Sequence, residues 1–257
     1  MNARFLRSTF FCFLLVILVW CLFHGGIKFT MKNLALPFFD MEQGFLLERI
    51  QAYISLGTLL AYVIGGSLAS ICSKRLLLIL TCILTVVVLA AQYLLLPESF
   101  VALALTSLVV GISYGLFALL RTVITYVEIV KTGLPDTTVN GIATIVFIVA
   151  VIAGTFLSTR LFEHFGSAVL WITCGLFLLS IPFAWRLRYE HTEEQHPAQA
   201  TVRTLLADTA WALKHQGVVI LASAALWSVG TIVSIKAIPY SVEQFEVLES
   251  TSALILL

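Results

Sequence analysis

The sequence predicts an all-α polytopic membrane protein, and three observations lead there. Hydrophobic residues make up 60% of the 257 and charged residues only 11%, with a mean hydropathy of +1.02. A water-soluble domain is nearer half apolar and a quarter charged, so this chain lacks the polar groups to clothe a soluble surface. The apolar residues also fall in runs of about 20, the length that crosses the hydrocarbon layer as a helix. One tight turn between runs carries two adjacent cations, Lys74 and Arg75, as the positive-inside rule expects on the cytoplasmic side.

Taken in order, span 1 is expected from Thr9 to Thr30 and span 2 from Ala52 to Cys72. Span 3 covers Leu76 to Leu96 and breaks at Pro97-Glu98-Ser99, and span 4 runs from Phe100 past Arg121 towards Val130. Span 5 covers Gly141 to Phe162, with Asn140 as its cap, and Gly166 separates it from span 6, Ser167 to Trp185. A polar segment from Arg186 to Gln216 follows, then span 7 from Gly217 to Tyr240 and an eighth apolar run from Ser252. The spans therefore group as a six-helix bundle over 1–185, a connector over 186–216 and further apolar runs over 217–257. Leu257 lies inside an apolar run too short to span, so the chain is expected to be incomplete.

The connector has two parts. Tyr189 to Pro197 is polar, with Glu190, Glu193, Glu194, His191 and His196. From Thr201, residues Val202, Leu205, Leu206, Thr209 and Leu213 recur at helical spacing, as in a helix lying on the membrane surface.

Counting the 15 cations gives the orientation. With the N-terminus inside, the inner side holds Arg4, Arg7, Lys74, Arg75, Arg121, Lys131, Arg186, Arg188, Arg203 and Lys214. The outer side holds Lys28, Lys32, Arg49, Arg160 and Lys236. Ten against five places the N-terminus in the cytoplasm. The N-terminus also resembles a signal peptide, but the run from Phe10 to Phe23 has no evident small-x-small site, so it reads as an uncleaved span.

The net charge of +1 offers nothing to nucleic acid. The five cysteines, Cys12, Cys21, Cys72, Cys82 and Cys174, lie in or beside apolar runs without metal-ligand spacing and read as small apolar residues. His191 and His196 lack a third ligand, so no metal and no cofactor are expected. No phosphate loop, G-x-S-x-G elbow or H-E-x-x-H occurs, so the chain is not expected to be an enzyme.

Small residues close span 2 at Gly65-Gly66-Ser67, just before Lys74-Arg75. The stretch Ile64-Gly65-Gly66-Ser67-Leu68-Ala69-Ser70 is echoed by Ile152-Ala153-Gly154-Thr155-Phe156-Leu157-Ser158 in span 5. Spans 2 and 5 cross in opposite directions, the arrangement of three-plus-three inverted repeats.

The segment Gly66 to Arg75 resembles the loop between spans 2 and 3 of the major facilitator superfamily, G-x-L-a-D-r-x-G-r-k. It keeps Gly66, Leu68, Ala69 and the terminal cations Lys74 and Arg75, and departs with Ser70 at the acid and Ser73 at the second glycine. In the family that acid helps latch the closed cytoplasmic gate. Within the superfamily the chain is most similar to bacterial lysophospholipid transporters, often encoded beside or fused to an acyltransferase. The similarity runs through Val110-Gly111, Arg121 with Glu128, Asn140-Gly141, Ala153-Gly154 and Leu157, and Leu226-Trp227-Ser228-Val229-Gly230. Span 1 departs, since the family's F-G-D-N reads Phe23-His24-Gly25-Gly26 without the acid. The resemblance implies a multi-pass protein of the cell inner membrane in which 217–257 opens a second bundle, so that the chain is one half plus the start of another. It also implies a gate built on Gly66, Ser70, Lys74, Arg75 and Glu128, and an acyltransferase partner encoded nearby.

Ionisable groups within spans are costly, about 2.5–3.5 kcal/mol at a helix centre on insertion scales, and are functional candidates by default. Arg121 either lines a cavity, where its guanidinium would grip a phosphate or carboxylate, or sits at the inner headgroup level. His24 and Lys28, one turn apart, share a face of span 1. They would respectively titrate and pair with an anionic headgroup, or bond to a neighbouring helix and snorkel. Lys236 faces the same choice late in span 7, and Glu128 either pairs with Arg121 or Lys131 or caps the inner gate. The expected function is secondary transport of an amphipathic or anionic small molecule, with lysophospholipid first, by alternating access. A carrier for a drug, siderophore or metabolite, or a non-transporting interaction subunit, are the alternatives.

Overall fold

The computed structural model describes residues 9–39, 43–95, 99–132 and 135–187, together with 214, 215 and 218. Among these residues the chain forms six long helices and no strand. They are α1 (Thr9–Ala35), α2 (Gln43–Ile71), α3 (Lys74–Leu95), α4 (Phe100–Thr132), α5 (Asp136–Phe165) and α6 (Val169–Trp185). A 3-10 turn, Leu36–Phe38, follows α1, and another, Gly166–Ala168, joins α5 to α6. In hydrocarbon a backbone must satisfy its own polar groups, and the helix does so within one segment. The expected surface helix, span 7 with Lys236 apart from residue 218, and the eighth run fall outside the described residues.

Helix ends are marked locally. Ser73 Oγ accepts the Leu76 amide at 3.2 Å and Ser99 Oγ accepts the Ala102 amide at 3.2 Å, so serine caps open α3 and α4. The helix α5 starts five residues before the expected Gly141, with Pro135 as its cap and Asp136 in its first turn. Asn140 therefore lies inside α5 and caps nothing, a correction to the sequence reading. Similarly α2 begins at Gln43 rather than Ala52. Apolarity marks the stretch that meets lipid, whereas helical hydrogen bonding continues into polar residues beyond it. At 33 residues, α4 is about 50 Å long and overruns a hydrocarbon layer of about 30 Å.

Among the described residues three stretches are long and apolar enough to cross a membrane: Lys74–Leu95, Phe100–Thr125 and Asp136–Trp185. The third folds back on itself at Gly166, whose φ of +56° suits glycine and whose amide bonds to the Phe162 carbonyl. Gly154, before that turn, packs against Leu22, and Phe177, after it, packs on Phe23 with ring centroids 4.9 Å apart. Two positions nearly equidistant from Gly166 thus meet neighbouring residues of α1, as an antiparallel hairpin requires.

The remaining pairs define a bundle with two ends. Against α6, α3 runs antiparallel: Arg75 lies over Trp185, Cys82 meets Ser180, Cys174 meets Val86, and Tyr93 meets Trp171. Helices α2 and α4 run parallel and close, Gly111 against the Ile54 backbone and Gly115 against Thr58 and Ala61, with Gly65 further along against Leu116 and Leu119. Thr58 ties the seam by donating to Gly111 O at 3.2 Å as well as to its own helix at Ile54 O. Small residues permit this approach, and close packing replaces the hydrophobic drive that lipid removes.

At the centre, Trp20 of α1 stacks on Phe117 of α4 at 4.4 Å and meets Tyr114 and Phe177 at 5.2 and 6.3 Å. It is 1% exposed. The outer surface is the reverse of a soluble protein's: Leu59, Val87, Leu94, Val101, Leu105, Ile145 and Leu179 all lie exposed. So large an apolar perimeter belongs against lipid. Together with the three spanning stretches it makes this a helical membrane protein.

Candidate functional site

Arg121 lies on α4, 21 residues beyond Phe100 and so about 31 Å along the axis. That puts it at the far edge of the hydrocarbon, towards the end of the bundle where α3 begins and α6 finishes. Its guanidinium carbon sits 4.4 Å above the Phe147 ring of α5, and it interacts electrostatically with Tyr62 of α2. Three helices therefore contribute to one half-buried cation. Among the described residues no carboxylate is paired with it. A guanidinium that lies flat on a ring keeps the forked N–H donors at its edge for a phosphate or carboxylate. A hydrated ammonium could not lie on the ring in the same way.

The other candidates fall at different depths. His24 and Lys28 lie within α1, which runs unbroken through Gly25 and Gly26; their side chains are outside the described residues. Trp20 is level with Tyr114 and Phe117 of α4. α1 and α4 run in opposite directions here, since Phe39 after α1 meets Phe100 at the start of α4. His24 thus lies about one turn to one side of the Trp20 cluster and Arg121 about one turn to the other, roughly 12 Å apart along the axis. The fold does not bring Arg121 together with His24 or Lys28. The Trp20 cluster stands between their levels.

Gly66 and Ser70 occupy the last turns of α2, and Glu128 lies about 10 Å beyond Arg121 on α4. Their side chains too lie outside the described residues. Lys74 and Arg75 form the first turn of α3 rather than a free loop, and Arg75 is held 5.2 Å over Trp185.

Sequence reasoning missed several participants. Phe147 and Tyr62 sit far from Arg121 in the chain, and no local spacing links them to it. Trp20 belongs to a buried stripe with Phe13, Ile17 and Phe23, visible as helical spacing but hidden within an entirely apolar run. Gln92 is legible in the sequence, as an amide in the middle of an apolar span. It is buried, it donates only to Met31 Sδ at 3.3 Å, and its Oε1 has no hydrogen-bond partner.

No family model, no curated protein and no solved structure matches this chain.

Proposed function

We propose that the chain is the first six-helix bundle of a secondary transporter of the major facilitator type, with the opening of its second bundle. It would move an amphipathic or anionic small molecule by alternating access, with lysophospholipid the first candidate and Arg121 the cation that meets the anionic group. The observation that carries this reading is the pattern of helix partners. The two most extensive pairings are α2 with α4 and α1 with α5, and α3 pairs with α6. Moving each helix three places along the bundle turns α2–α4 into α5–α1 and leaves α3–α6 unchanged. It also exchanges the next pair, α3–α4, with α6–α1. Two interlocked three-helix repeats of opposite orientation would pair in this way. The echoed heptapeptides add support: Gly65 lies on the α2–α4 seam and Gly154 on the α5–α1 seam.

In this reading the end bearing Lys74, Arg75 and Arg186 is cytoplasmic, the membrane is the inner one, and Gly66, Ser70 and Glu128 belong to the gate between the bundles. His24, Lys28 and Lys236 would line the path at other depths. An acyltransferase encoded nearby would consume or supply the lipid. The test is flux of labelled lysophospholipid into vesicles carrying the full-length protein. Flux that falls with Arg121→Ala and partly survives in Arg121→Lys supports the proposal. Flat flux of lysophospholipid rejects that substrate in favour of a drug, siderophore or metabolite, and flat flux of all of them rejects transport.

A further inference from the structure

We infer that Lys74, Arg75, Trp185 and Arg186 form a headgroup site for an anionic phospholipid where α3 begins and α6 ends. The inference depends on the protein's lying in a bilayer and not on its transporting anything. Three cations gather here from two helices, with the Arg75 guanidinium 5.2 Å over the Trp185 ring. Lys74 and Arg75 occupy the first turn of α3, which contains no acidic residue. Cations are disfavoured at that position, because the helix N-terminus already carries partial positive charge. The C-terminus of the antiparallel α6 offsets that partial charge but not the three formal ones. Among the described residues no carboxylate pairs with any of the three.

Depth decides what kind of anion would compensate. Trp171 and Trp185 lie at opposite ends of α6, both exposed, about 21 Å apart along the axis. On α3, Arg75 and Tyr93 are separated by about 27 Å, close to the thickness of the hydrocarbon core. Tyr93 and Trp171 touch, with centroids 5.5 Å apart. The Tyr93–Trp171 pair at one end and Trp185 beside Arg75 at the other thus mark belts at the two interfaces, where amphipathic rings settle. The cations of the lower belt are therefore at headgroup level, and the anion at that level is a lipid phosphate. Trp185 is 63% exposed and Leu178, two turns away on the same face, is 52% exposed. An acyl chain descending from a phosphate bound at Arg75 would lie along this strip. Basic pockets between membrane helices bind anionic headgroups by this chemistry.

The test uses the full chain in mild detergent and native mass spectrometry with added phosphatidylglycerol, phosphatidylethanolamine or free glycerol phosphate. Preferential retention of phosphatidylglycerol is expected, falling about fivefold for each cation removed in Arg75→Gln and Arg186→Gln, the effect of about one surface cation on an anionic lipid. Arg75→Lys keeps the preference while losing the stack on Trp185, and controls for folding of the glutamine variants. Equal retention of the two lipids overturns the inference, as does a double glutamine variant that holds phosphatidylglycerol like the wild type. Glycerol phosphate held as well as the lipid overturns it in favour of a soluble phosphate site. A preference that emerges only when Glu190, Glu193 and Glu194 are all changed to Gln also overturns it, by assigning the cations to the connector.

Discussion

Replacing Gly115 with Ala would insert one methyl group into the tightest seam of the bundle. A Cβ there would lie 2.6 Å from Ala61 Cβ and 2.8 Å from Thr58 O, against an ordinary carbon–carbon contact of about 3.5–4.0 Å. Neither neighbour can swing aside, one being a methyl fixed to the backbone and the other the backbone itself. Helices α2 and α4 must therefore part by about 1 Å. That displacement also stretches the Thr58 bond to Gly111 O beyond its present 3.2 Å. Overpacking of this kind costs about 1–3 kcal/mol, and an interhelical hydrogen bond in a membrane protein adds about 0.6 kcal/mol. Alanine returns about 0.5–1 kcal/mol through its better helix propensity. The net expectation is a loss of about 0.6–3 kcal/mol. Gly175→Ala is the matched control: among the described residues nothing lies within 4 Å of where its Cβ would sit, so only the propensity gain remains. Unfolding by sodium dodecyl sulfate titration in mixed micelles, followed by tryptophan fluorescence, compares the two. Gly115→Ala as stable as the wild type, or moving in the same direction as Gly175→Ala, would refute close backbone approach as the reason for glycine at the seam.

Trp20→Ala removes the ring that joins α1, α4 and α6 and is expected to cost about 3–5 kcal/mol in the same titration. Trp171→Ala, half exposed at the rim, should cost far less. Gln92→Leu keeps the volume and removes a buried carbonyl oxygen without a partner, so stability should hold or rise by about 1 kcal/mol; a clear loss would mean that Gln92 serves another group. Ser180→Cys places a thiol where Oγ now lies 3.5 Å from Cys82 Sγ. Mild oxidation should then block both thiols to alkylation, detected by mass, and free thiols throughout would contradict the antiparallel register of α3 and α6.

The sequence made the helices legible because hydrocarbon thickness sets a minimum run of apolar residues, and Gly166 and Ser99 announce their turns in residue chemistry. It could not show where helices end outside the lipid: Asn140 looks like a cap, yet α5 begins earlier, with Pro135 at the N-cap position and no side-chain cap bond, because the helix continues into polar residues. Partner choice was hidden for a different reason. In a soluble helix the polar face points outward and thereby names the buried face. Helix α6 carries apolar side chains all round, so Leu179 faces outward while Phe177, two residues away, is wholly buried. What separates them is shape: Phe177 meets the rings of Trp20 and Phe23, and Leu179 has no such partner. The same holds at the candidate site. Charge singled out Arg121, but only folding supplies Phe147 beneath it and Tyr62 beside it. A membrane bundle therefore writes its polar sites openly and its packing code in volume. The glycine substitutions read that second code directly, because they change the volume at a seam and leave its polarity as it was.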